Sequence, residues 1–350
     1  MANKVRVMII DDSPFFRDFL ARSVSTDPSI DIVGIFGDPL EAINKISQLK
    51  PDVIAVDMEM PKMRGNEFLK TVLPLHKSVK AIVISALSGN VFDAMQAGAV
   101  DFVGKPNSRP GYDNEQFVKE VLQKIRIAAA ATSMATVQPP ITVATRAVMS
   151  AASEPVLNAV TSKNIIAIGA STGGTEAIVD VVKRFRADSP GVVIVQHMPP
   201  VFTQMYAERV NRICKMEVRE AKSGDRVERG VILIAPGDKQ MRVRSDSSGY
   251  YVHCAPGEKV SGHCPSVDVL FESVADAAGA NAVGVILTGM GGDGAKFMLK
   301  MRKNGAYTIG QDQASCVVYG MPMVAYNIGA VAEQLPLTKI GDAVMKRFIR

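Results

Sequence analysis

Residues 169–173 read Gly-Ala-Ser-Thr-Gly and follow the apolar run 165–168. A serine in this pattern is carried on a sharp strand-to-helix turn, where the first N–H groups of the helix can stabilise an oxyanion. The same residues also suit a phosphate-cradling loop or a plain tight turn. A serine nucleophile needs a base, and the base needs an orienting group. The histidines are His76, His197, His253 and His263. His197 ends the strand pattern 192–196, so it reaches the same sheet edge as Ser171 and is the preferred base. His263, in the loop Ser-Gly-His-Cys-Pro-Ser, is placed to line the pocket, and His253 reads as structural. Asp293 lies in Thr288-Gly289-Met290-Gly291-Gly292-Asp293-Gly294, where little side-chain bulk blocks its approach to a histidine.

Two rival chemistries share these residues. The loop 289–294 also fits G-x-G-x-x-G, with Asp312 about twenty residues on, which is a dinucleotide fingerprint. Against it stands Asp293, whose carboxylate repels the phosphate such a loop would bind. His253-Cys254 and His263-Cys264 bring zinc to mind, but neither pair has the spacing of zinc ligands.

A second set of chemical residues lies in the first third of the chain. Asp11, Asp12, Asp57, Ser85 and Lys105 all fall at the ends of apolar runs. Three crowded carboxylates call for a cation, and hard oxygen ligands suit Mg²⁺. A lysine beside them can hold an anion. Together they suit a transferred phosphoryl group, with one aspartate as acceptor.

The elements that must position these residues alternate between strand and helix. Runs at 5–10, 32–36, 53–56, 82–84 and 100–103 are separated by helical patterns, predicting a doubly wound parallel sheet over residues 1–125. Runs at 165–168, 192–195, 231–234, 282–287 and 306–309 predict a second α/β sheet over residues 164–350. Residues 241–244 and 250–253 flank Asp246-Ser247-Ser248-Gly249 and read as a hairpin attached to that sheet. Residues 126–163, rich in Ala, Ser, Thr and Pro, read as a linker whose Ala-rich start can extend the preceding helix. The fold class is therefore α/β, with two doubly wound domains, flavodoxin-like and Rossmann-like, on one tether.

Composition narrows the function. With 350 residues, 47% of them hydrophobic, there is material for two or three cores. The net charge of +5 comes without basic runs, which argues against nucleic acid as partner. There is no apolar run of the ~18 residues that span a membrane, and no export signal. The 4 cysteines are scattered and read as reduced thiols, so the expected location is the cytoplasm.

The motifs VMIIDDS, VIAVDMEMP, ISAL and DFVGKP resemble a response-regulator receiver across residues 4 to 125. That resemblance implies that Asp57 accepts phosphate from a histidine kinase. It implies that Asp11, Asp12 and Asp57 bind Mg²⁺, with the Glu59 backbone carbonyl as a further ligand. Ser85 and Lys105 would hold the phosphoryl group, and Phe102 fills the aromatic switch position. Arg64-Gly65 departs from the Asp-Gly common there. GASTGGT, VVIVQHMP, PSVDVLF and ILTGMGGDGA resemble the catalytic domain of the CheB family, the chemotaxis protein-glutamate methylesterases.

This second resemblance implies Ser171, His197 and Asp293 as a triad. Met290 would contribute a backbone N–H to an oxyanion hole, with Thr172 and Gly173 beside the serine. The substrates implied are glutamate methyl esters, and glutamine amides, on methyl-accepting chemoreceptors. The esterase site would need no cofactor, and the protein would be recruited to membrane receptor clusters. The unphosphorylated receiver would cover the serine site and phosphorylation would release it. A DNA-binding output, common behind receivers, is the non-enzyme alternative; the second half lacks a basic recognition helix.

Overall fold

The computed structural model describes residues 4–86, 91–106, 112–131 and 163–348. The chain divides into two compact units, residues 1–135 and 136–350.

In the first unit the order is β1 (Val5–Ile10), α1 (Pro14–Val24), β2 (Ile30–Phe36), α2 (Pro39–Leu49) and β3 (Val53–Asp57). It continues with α3 (Gly65–Val72), β4 (Lys80–Ser85), α4 (Val91–Gln96), β5 (Asp101–Gly104) and α5 (Asn114–Ala130). The five strands pair in parallel in the order β2-β1-β3-β4-β5. Strand β3 is buried along its whole length, as expected for a strand covered on both faces. Ser13 and Pro14 start α1 as their types require, with Ser13 Oγ accepting from the Phe16 N–H. The order reverses between β1 and β3, so their carboxyl ends open a crevice, and those ends carry Asp11, Asp12 and Asp57.

Helix α5 continues to Ala130, into the Ala-rich start of the stretch read as a linker. Residues 132–162 of that stretch lie outside the described residues.

The second unit runs β6 (Ile165–Ala170), α6 (Gly174–Val182), β7 (Gly191–Gln196), α7 (Phe202–Ile213), β8 (Glu217–Glu220) and β9 (Val231–Ile234). Next come β10 (Gln240–Asp246), β11 (Gly249–Ala255), α8 (Val267–Ala278), β12 (Ala282–Ile286) and α9 (Ala295–Lys303). It closes with β13 (Tyr307–Gln311), α10 (Met321–Asn327), β14 (Glu333–Leu335) and α11 (Leu337–Lys346). Seven strands form one parallel sheet, β14-β13-β12-β6-β7-β9-β8. The chain leaves β6 toward β7 and later leaves β12 toward β13, on the other side. The switch point is therefore the crevice between β6 and β12.

Two expectations change here. Strands β8 and β14 had no apolar run to announce them. They are short sheet edges, Glu-Val-Arg-Glu and Glu-Gln-Leu, in which only Val218 is buried. The hairpin forms with the expected pairing, Val243 opposite Val252 and Asp246 opposite Gly249. It is not a part of the main sheet: β10 and β11 make a separate two-stranded ribbon. Its apolar side chains Met241, Val243, Tyr250 and Val252 join the same core as α8 and β9, which explains why the alternation was legible and the attachment was not.

Candidate active site

Strand β6 delivers Ser171 at its carboxyl end. The Ser171 N–H donates to Thr288 O at 3.0 Å, so the residues after β12 run alongside the serine. Gly173 turns the chain with φ 77°, and α6 begins at the next residue. A Cβ at Gly173 would lie 2.6 Å from the Val317 side chain, so both conformation and space demand glycine. Gln196, buried at the end of β7, donates from Nε2 to Ser171 O at 2.9 Å and fixes the turn from the other side.

His197 follows β7, and its own N–H donates to Ala170 O at 3.2 Å. Its ring lies between the two partners read from the sequence. Nδ1 is 3.1 Å from Ser171 Oγ and Nε2 is 2.7 Å from Asp293 Oδ2. A carboxylate only accepts, so Nε2 carries the hydrogen and Nδ1 keeps the lone pair that faces the serine hydroxyl. In chymotrypsin-type triads the serine faces Nε2; here the ring presents its other nitrogen.

Asp293 is 3% exposed and needs compensation for its burial. Besides His197, Oδ2 accepts from the Val267 N–H at 2.8 Å. Oδ1 accepts from Ser266 Oγ and the Asp268 N–H, each at 2.8 Å. These donors are the N-terminus of α8, whose dipole favours an anion. Burial pushes the Asp293 carboxyl up, but His197 and the α8 amides outweigh it and hold it below the usual carboxylate range. Asp268 answers by accepting from the Gly294 N–H at 2.9 Å, and burial raises its own carboxyl. The cradle can stand this close because β6 has glycine at 169, where a Cβ would lie 2.2 Å from Val267 Cγ1.

The structure therefore brings Ser171, His197 and Asp293 together at the switch crevice of the second sheet. Thr172 is buried beside the serine, and Met290, 48% exposed, stands two residues past Thr288 in the loop running next to Ser171. Such an arrangement can deprotonate a serine hydroxyl and hold the imidazolium that results.

The rival readings lose their residues. Asp312 accepts from Ser315 N at 3.0 Å and Oγ at 2.6 Å, and Asp293 is spent on His197 and α8, so the glycine loop is not arranged for a dinucleotide. His253 Nδ1 lies 3.0 Å from Ser223 Oγ, while the His263 ring stacks on His197, so the two His-Cys pairs do not converge on a metal. Sequence reasoning missed the supports of Asp293, Ser266 and Asp268, and the anchor Gln196. The cue for the first two was the Ser-Val-Asp start of a helix.

The family model described as CheB methylesterase matches residues 166–344, and the response regulator receiver domain model matches residues 7–112. The chain belongs to the CheB methylesterase family. It is 51% identical to the protein-glutamate methylesterase/protein-glutamine glutaminase 2 of Syntrophomonas wolfei subsp. wolfei, over 98% of this chain and 97% of that protein. Its identity to the protein of the same activity from Sulfurimonas denitrificans is 46%, over 96% of each chain. The crystal structure of the Thermotoga maritima CheB methylesterase catalytic domain superposes with a TM-score of 0.52 at 33% identity, covering 53% of this chain and 99% of that one.

The first unit of this CheB-family chain carries an acid cluster. One carboxylate oxygen from each of Asp11, Asp12 and Asp57 lies within 4.8 Å of the others. This is the only such group of potential metal ligands among the described residues, and its hard oxygens fit Mg²⁺. The Glu59 side chain is exposed; its backbone N–H supports the charged Asp57 carboxylate. Lys105 Nζ bridges Asp11 Oδ2 at 3.0 Å and Asp57 Oδ2 at 2.8 Å. Burial raises both carboxyls, and Lys105 partly offsets it. Ser85 is buried and its hydroxyl donates to Ala86 O. Phe102 is buried edge-on against Phe92, with ring centroids 6.3 Å apart.

Proposed function

We propose that this protein is a phosphorylation-controlled methylesterase that hydrolyses glutamate methyl esters on chemoreceptors, and deamidates glutamines by the same route. The observation that carries the reading is His197 bridging Ser171 and Asp293 in a CheB-family chain. Ser171 Oγ attacks the ester carbonyl as its proton passes to His197 Nδ1. That proton then leaves with methanol, or with ammonia from an amide. A water gives its proton to Nδ1 and attacks the glutamyl ester, freeing a glutamate carboxylate and restoring Ser171. Asp293 stays ionised throughout and holds the ring by Nε2–H. The Met290 N–H, with Thr172 and Gly173 at the turn, receives the oxyanion.

The controlling unit is a receiver over residues 1–125, joined by a tether over 126–163 to the esterase from 164 onward. Asp57 accepts the phosphoryl group from a chemotaxis histidine kinase. Asp11, Asp12, Asp57 and the Glu59 carbonyl would hold Mg²⁺, which would supply positive charge beside the phosphoryl group. Lys105 and Ser85 hold the phosphoryl oxygens, and Phe102 reports the change. Reaching the receptors places the protein in the cytoplasm, at the membrane receptor clusters. The test is methanol release from methylated receptor membranes, with and without a small-molecule phosphodonor. Ser171→Ala is expected to lose about 10⁴-fold or more; retention of most of the activity would reject the assignment.

A further inference from the structure

The one aromatic contact of the His197 ring in the described residues is a second imidazole. The rings of His197 and His263 lie face to face, centroids 3.6 Å apart and 11° from parallel. His263 belongs to a loop with no regular secondary structure, yet that loop is held from three directions. His263 and Val260 exchange both backbone hydrogen bonds, at 2.9 and 3.0 Å. Gln240, buried on β10, donates from Nε2 to His263 O at 3.1 Å and to Glu258 O at 3.0 Å, and its Oε1 accepts from the Ser266 N–H at 2.9 Å. Ser261 Oγ donates to Asp268 Oδ2 at 2.7 Å, and Asp268 is tied in turn to Asp293. The ribbon and the cradle of Asp293 thus share one set of hydrogen bonds with this loop.

On the assumption that the esterase reading holds, we infer that His263 is a positioning residue that fixes the plane of the His197 ring and stacks on its charged form. Two hydrogen bonds at opposite ring atoms leave an imidazole free to rock about the line joining them. A flat wall on one face removes that freedom. A neutral ring also offers its π face to the imidazolium that forms when Ser171 attacks, an attraction of the cation–π kind. The role requires His263 to remain uncharged. Its titratable neighbours are His197, Asp293 and Lys259, and burial, then His197, push the His263 ring down to about 4. At neutral pH the wall is therefore an uncharged imidazole.

The test uses the full-length protein, with the rate of fluorophosphonate labelling of Ser171 measured beside methanol release. Labelling needs an activated serine and no receptor, so wild-type labelling without methanol release would overturn the substrate reading and leave this one intact. His263→Ala is expected to lower the labelling rate and kcat about 10- to 100-fold with little change in KM. The pH at which labelling falls off should also shift. His263→Phe, which restores a flat ring without nitrogen, is expected to recover most of the rate at neutral pH. Equal labelling by wild type and His263→Ala would overturn the inference. So would a loss that His263→Phe does not recover while its thermal midpoint matches wild type, since a flat wall would then be insufficient.

Discussion

Asp293→Asn separates the tautomer argument from mere proximity. The asparagine fits the same space but keeps one acceptor oxygen. If that oxygen stays with Ser266 Oγ and the Asp268 N–H, the amide NH₂ faces His197 Nε2 and the Val267 N–H, where Oδ2 now accepts both. Donor then faces donor. The imidazole relieves this by moving its hydrogen to Nδ1, which removes the lone pair now 3.1 Å from Ser171 Oγ. Wrong-tautomer triads lose about 10⁴ in kcat, or about 5.4 kcal/mol of transition-state stabilisation. A second effect falls on stability. The orphaned Val267 N–H costs about 1–3 kcal/mol, and each kcal/mol lowers the midpoint of a unit this size by roughly 2–4 °C. The assays are fluorophosphonate labelling of Ser171 and methanol release at neutral pH, with thermal denaturation alongside. If Asp293→Asn stays folded and keeps more than a tenth of wild-type activity, Asp293 does not set the tautomer and the reasoning fails.

Three further outcomes follow from other parts of the molecule. Gly173→Ala must adopt φ near 77° and push on Val317, so it should lower stability by about 1–2 kcal/mol and impair Ser171 labelling; an unchanged chemical-denaturation midpoint would contradict the reading of that turn. A small-molecule phosphodonor should add one phosphoryl group by intact mass when Mg²⁺ is present, and neither Asp57→Asn nor chelated wild type should gain it; an added group on Asp57→Asn would place the acceptor elsewhere. His263 binds its proton less readily when folded, falling from its usual 6.5 to about 4, so the unfolded chain holds more protons between those values. Its stabilising contribution is present above pH 6.5 and is lost as pH falls toward 4, by at most about 3 kcal/mol. Chemical denaturation at pH 7 and pH 4.5 should therefore show a larger acid loss in wild type than in His263→Phe; equal losses would refute it.

Residue types and their spacing were enough to place most of the elements and the chemical inventory. Apolar runs bounded by helical patterns mark β1 from Val7 onward, β3, β6, β7, β9 and β12, because strand segments buried on both faces are nearly all apolar. Strand-end placement put Ser171, His197 and Asp293 on one rim, and Asp11, Asp12 and Asp57 on another, because parallel strands present their carboxyl ends together. Edge strands β8 and β14 left no such trace, since pairing on one side asks little of their side chains. Long-range packing sets which ring nitrogen of His197 meets the serine, brings the N-terminus of α8 around Asp293, and lays His263 flat on His197. Those relations join residues 25 or more positions apart. Local pattern records what each segment needs for its own burial, whereas these contacts depend on the packing of β6, β12, α8 and the β10–β11 ribbon against one another.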